Sequence, residues 1–179
     1  MLIAGVGNIF LGDDGFGPEV ARRLLAAGPR PGVRVVDYGI RGMHLAYDVL
    51  DGYRALVLVD LIPRGEPGQV QVLEVAREDL AGGSFDAHGM DPAAVLGTLE
   101  ALGGALPRTF VVGCRPVSVD EQIGLSPAVE AAVQNAVTAV TGLLDGALSR
   151  AGSESEQPAR GPDAGTANAR GASAAGRHS

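Results

Sequence analysis

"MLIAGVGNIFLGDDGFGPEVARRLLAA" (residues 1–27) reads as a strand, a glycine turn and a helix in succession. Leu2–Val6 is a short unbroken apolar run, the pattern of a strand covered on both faces. Pro18 suits the first turn of a helix, and Val20, Ala21, Leu24 and Leu25 then recur at helical spacing. Many nucleotide pockets open on such a unit, and "GVGNIF" (5–10) supplies Gly-x-Gly. Phe10, however, occupies the third small position of the dinucleotide fingerprint, which needs a small residue for close helix–strand packing. Asp13 and Asp14 also fall near the helix N-terminus, where backbone N–H groups would otherwise attract phosphate. Two anions there repel a pyrophosphate, so the turn suits a different ligand.

Outward from this unit the alternation continues. "GPRPG" (28–32) stops the first helix, and "VRVVD" (33–37) is a second strand, followed by a glycine turn and a helix over "MHLAYDVLDG" (43–52). "ALVLVD" (55–60) is apolar until its last residue, as a central strand should be. "QVQVLEV" (69–75) alternates like a strand with one wetter face, and residues 76–90 form a loop rich in Gly and Asp. "DPAAVLGTLEAL" (91–102) begins a helix with Asp at the N-cap and Pro after it. "TFVVGC" (109–114) is another buried strand, and "LSPAVEAAVQNAVTAVTGLLDGAL" (125–148) is the last helix, with Ser126 as N-cap and Pro127 at N1.

This pattern predicts a single three-layer α/β domain over residues 1–149, with a twisted, mostly parallel five-stranded sheet flanked by helices. Residues 150–179 contain no Val, Leu, Ile, Met or aromatic residue. Such an Ala/Gly/Ser-rich tail has no apolar surface to offset its ordering entropy and is expected to be disordered.

Composition narrows the function. The 179 residues are 46% hydrophobic but contain no Trp, so Val, Leu, Ile and Ala must fill the core. The net charge is −7; the tail holds four Arg and three acids, which leaves −8 on residues 1–149. An acidic body argues against nucleic acid or an anionic membrane surface as partner. The lone Cys114 fits a reducing cytoplasm. The start has no basic signal-peptide region, and no apolar run approaches the ~20 residues needed to span a bilayer. The expected location is cytoplasmic.

The acids and one histidine carry the chemistry. Asp14 follows the first strand, Asp60 ends the third, and His88 lies in "FDAHGMDP" (85–92) after the fourth. In an open α/β sheet, functional groups collect beyond the carboxyl ends of the strands. Two carboxylates about 5 Å apart repel by roughly 3 kcal/mol at an effective dielectric near 20, so one takes a proton or a cation sits between them. Two carboxylates and an imidazole suit a borderline divalent ion such as Ni²⁺ or Zn²⁺. Three protein ligands also leave positions open for water or substrate. Each residue has a plainer reading: Asp14 as a helix cap, Asp60 as a turn cap, His88 as a loop histidine, and Asp13 as a cap or outer support. His44 and His178 are read as incidental.

These residues resemble those of the [NiFe]-hydrogenase maturation proteases, the endopeptidases that trim the C-terminus of the hydrogenase large subunit. The resemblance spans roughly residues 1–145 and rests on "GVGNIFLGDDGFG" (5–17), "DYGIRGMHL" (37–45), "LVLVDLI" (56–62), the His88 loop and "GCRPVSVDEQIGLSPAVEAAV" (113–133). It implies that Asp14, Asp60 and His88 are metal ligands; relatives carry Glu or Asp at the first position, and Asp14 is the shorter choice. It also implies a partner, a large-subunit precursor already loaded with nickel, and a metal that is the client's own nickel, with Zn or Cd able to substitute. The catalytic group stays open between a metal-polarised water or carbonyl and a carboxylate general base. Asp37, Gly39 and Gly42, in the flexible glycine loop "DYGIRG" (37–42), are candidates for contacting the client's tail. A non-catalytic nickel-handling chaperone for the same precursor is the alternative function.

Overall fold

The computed structural model describes residues 1–75, 99 and 101–154, with side chains as far as residue 146. The predicted helix over 91–102 therefore falls almost wholly outside the described residues; Leu99 and Ala101, which are described, are helical. The elements, in chain order, are β1 (Leu2–Val6), α1 (Phe16–Ala26), β2 (Arg34–Gly39), α2 (Gly42–Val49), β3 (Ala55–Leu61), β4 (Val70–Val75), β5 (Arg108–Cys114) and α3 (Pro127–Glu154). A short 3₁₀ turn, Gly12–Gly15, leads directly into α1. α3 runs past Ser149 to Glu154. The tail beyond that point lies outside the described residues.

The five strands form one sheet in the order β2-β1-β3-β5-β4. β1 lies parallel to β2 and β3, and β3 parallel to β5, while β4 pairs with β5 antiparallel. The single-domain α/β architecture with a mostly parallel sheet is thus the one expected from the strand–helix alternation. β1 sits between β2 and β3; the connection leaving β1 runs one way to β2 and that leaving β3 runs the other way towards β4, which makes the carboxyl ends of β1 and β3 the switch point of the sheet.

Period-two alternation sorts the strand side chains into two cores. On one face Leu2, Ala4, Leu56, Leu58 and Val111 pack with Leu45 and Val49 of α2. On the other, Ile3, Val57, Val59 and Val112 pack with Val20 and Leu24 of α1 and with Val129, Val133, Ala136 and Val140 of α3. The buried residues of α3 recur every three or four positions, giving a stripe that faces both the sheet and α1. Ser126 caps α3 as expected: its Oγ accepts from the Val129 N–H at 3.4 Å, with Pro127 at the first helical position. α2 is fastened to β2 where Tyr38 Oη donates to the Asp48 carboxylate at 2.6 Å and Arg34 pairs with the same carboxylate at 3.0 Å.

Close approach of α1 to the sheet is set by Gly17. A Cβ there would overlap the carbonyl oxygens of Val6 and Val59, and one on Gly5 would overlap the Gly17 carbonyl. The small residue needed for helix–strand packing is therefore Gly17, seven positions beyond Phe10. Phe10 instead projects from the turn and is exposed. No helix among the described residues is long and apolar enough to cross a membrane.

Candidate functional site

The turn after β1 is built to bury its acids. Gly7 has φ +137°, and any side chain on it would run into the Asp14 carbonyl, so only glycine lets the chain fold back there. Asn8 then closes a local turn, its Oδ1 accepting from the Phe10 N–H at 3.0 Å. All four residues of the Gly12–Gly15 turn are buried. Asp14 Oδ2 accepts from the Asn8 N–H at 2.8 Å, which ties the acid to the turn.

Asp60 lies one residue before the end of β3, pairing with Gly113 of β5. Its Oδ1 accepts from the Leu61 N–H at 2.7 Å. Burial pushes its carboxyl well above the usual range, and the negative charge of Asp14 adds to the rise, against the opposing pull of the Leu61 N–H. The structure thus brings Asp14 and Asp60 together at the carboxyl ends of β1 and β3, where the two charges act on each other. His88 lies outside the described residues. Among those described, no three His, Cys, Asp or Glu side chains gather closely enough to hold a metal ion. The donor chemistry of the acid pair nonetheless suits a divalent cation, whose charge would offset the burial and, to a lesser degree, the Asp14 charge that favour a proton on Asp60.

Cys114 ends β5, buried, with Sγ toward the Arg115 carbonyl at 3.7 Å. Burial, followed by the nearby Asp13 charge, pushes its thiol up to about 11, against the pull of the Gly68 N–H, so it carries almost no thiolate at neutral pH.

The glycine loop of residues 37–42 is pinned rather than loose. The Gly39 carbonyl accepts from Gly7 N–H at 3.1 Å, and the Gly39 N–H donates to Asp37 Oδ1 at 2.9 Å. The Arg41 guanidinium reaches back to the carbonyls of Tyr38 and Asp37 at 3.1 and 2.8 Å. Asp37 lines a cleft of about 360 Å³ together with Ile9, Ile123 and Leu125, whereas Gly42 opens α2. A second cleft, about 290 Å³, lies beyond β3 and β5 between Leu61, Ile62 and Val117.

Comparison with known proteins settles the family. The sequence profile described as "Hydrogenase maturation protease" matches residues 18–143. This chain belongs to the hydrogenase maturation protease family. Among curated members of that family, the hydrogenase 2 maturation protease of Escherichia coli is 30% identical over 148 residues, covering 80% of this chain and 90% of its own length. The solved hydrogenase-maturating endopeptidase HybD from E. coli is 30% identical with a TM-score of 0.70, covering 82% of this chain and 92% of that one. The [NiFe] hydrogenase maturation protease HybD from Thermococcus kodakarensis is 28% identical with a TM-score of 0.64, covering 79% and 97% respectively. The maturation protease fold is therefore the one described above.

One residue of the site was only half legible in sequence. Asp13, read as a cap or outer support, is buried at 1% exposure and accepts four hydrogen bonds from residues 117–126. Its partners lie more than a hundred positions away, so no local spacing could have announced them.

Proposed function

We propose that this protein is an endopeptidase that removes the C-terminal extension of a nickel-loaded [NiFe]-hydrogenase large-subunit precursor. The observation that carries the reading is the match of residues 18–143 to the maturation protease family. The acid pair supports it, because the charge of Asp14 acts on buried Asp60 at the end of β3, the side of an α/β sheet where functional groups collect. In this reading Asp14, Asp60 and His88 are the donors that engage the client's metal. Nickel on the client offers an open coordination position to oxygen and nitrogen donors, and an unloaded client lacks that anchor. Recognition of the metal would then act as a check on cofactor loading. Asp37, Gly39 and Gly42 hold the client's tail beside the acids. Hydrolysis does not use Cys114, whose thiol is buried and neutral.

The test follows the mass of the precursor. Purified protein is incubated with nickel-loaded and nickel-free large subunit, and with subunit carrying Zn or Cd in place of nickel. A shortened product from loaded precursor alone is the expected outcome. Stable binding without shortening in any sample would replace the protease reading with that of a non-catalytic chaperone.

A further inference from the structure

We propose that Asp13 is a positioning residue that shapes the client-binding clefts by clamping both ends of the 117–126 segment. This rests on the protease reading, since the clefts matter only if a client enters them. The Asp13 carboxylate accepts the Val117 and Ser118 N–H groups at 2.8 and 3.2 Å on one oxygen, with the Ser126 hydroxyl at 3.0 Å on the same atom. Its other oxygen accepts the Ser126 N–H at 2.6 Å. Backbone bonds stitch the middle of the segment to the same turn: Gly12 N–H to the Gln122 carbonyl at 2.9 Å, and Gln122 N–H to the Phe10 carbonyl at 3.1 Å.

The segment has little apolar anchorage of its own. Ile123 and Val117 are 81% and 56% exposed and only the half-buried Leu125 packs on the core, so polar bonds carry much of its shape. It nevertheless supplies a wall to each of the two clefts, Val117 to one and Ile123 to the other. Asp13 touches the segment on both sides of Ile123 and is the residue before Asp14 in one buried turn. One carboxylate thus sets both cleft walls while the charge of its neighbour acts on Asp60.

Asparagine at position 13 has the shape but not the acceptors. Whichever way the amide is turned, its NH₂ group faces a donor, and at least one part-buried N–H loses its partner. In the full chain, Asp13→Asn is expected to raise KM and Kd for the nickel-loaded precursor ~10-fold, more than it lowers kcat. Ser126→Ala, which keeps the backbone donor, is expected to raise both ~2–3-fold, and Ser126→Thr to restore them. Amide exchange at Val117, Ser118 and Ser126 should quicken in Asp13→Asn while β1 and β3 stay protected. A purely stabilising role would lower melting temperature and leave KM and Kd unchanged below it.

Unchanged KM and Kd in a folded Asp13→Asn would overturn the proposal. If that variant does not fold, unchanged values in Ser126→Ala would do the same. A wild-type protein that binds the precursor without cutting it would end the protease reading, while the Kd series would still decide the role of Asp13. Should no precursor bind at all, exchange at the three amides decides the clamp, and rates equal to wild type would reject it.

Discussion

Asp60 is an acid buried at the end of an otherwise apolar strand, and stability should register the cost of its charge. In the metal-free protein its carboxyl holds a proton at pH values where the unfolded chain has already lost it. The folded state therefore binds more protons between the ordinary Asp range, about 3.9, and the raised value, and stability falls as pH rises through that window. Asp60→Asn keeps the acceptor for the Leu61 N–H and removes the charge. It is expected to abolish precursor processing, to raise stability at pH 7 by ~1–2 kcal/mol, and to flatten the fall with pH. Denaturant titrations across the pH range, beside precursor mass, check both halves. Cys114 makes the opposite case, a reactive residue type without reactivity. With its thiol pushed up to about 11 by burial, alkylating reagents at neutral pH should leave processing within ~2-fold of untreated protein.

Among the elements, α1 shows what could and could not be read from the chain alone. Pro18 and the apolar recurrence after it marked the helix, yet it starts at Phe16, preceded by a 3₁₀ turn that no periodicity signals. Phe10 breaks the nucleotide fingerprint, but the residue that lets helix and strand meet is Gly17. Gly17→Ala would press a methyl group onto the backbone of both β1 and β3, where neither neighbour can give way. A loss of about 3 kcal/mol or more is expected, measured as the shift of a urea transition at constant m. The β2 strand carries a similar lesson. Its register slips between Gly5 and Val6, which pair with Asp37 and Gly39 and leave Tyr38 over. Composition cannot report such a bulge, because it depends on which strand lies alongside.

At the level of the whole molecule, the three layers follow from runs that are legible in sequence, since Leu2–Val6 and Ala55–Leu61 are apolar enough to be covered twice. The acid pair could also be anticipated, from two strands ending in Asp or leading to it. The clamp could not, because its partners meet only in the folded chain. The core between the sheet, α1 and α3 draws on α3 as far as Leu144. Removing residues 155–179 is accordingly expected to move the melting temperature by no more than ~2 °C, whereas a chain stopped before Leu144 should melt many degrees lower; calorimetry separates the two. The separation between Asp13 and its partners, 104 positions to Val117 and 113 to Ser126, also orders events during synthesis. β1 and its acidic turn leave the ribosome well before residue 117, yet they cannot take their final form until Ser126 has emerged. The acidic turn after β1 is thus finished only once the segment that opens α3 has been made.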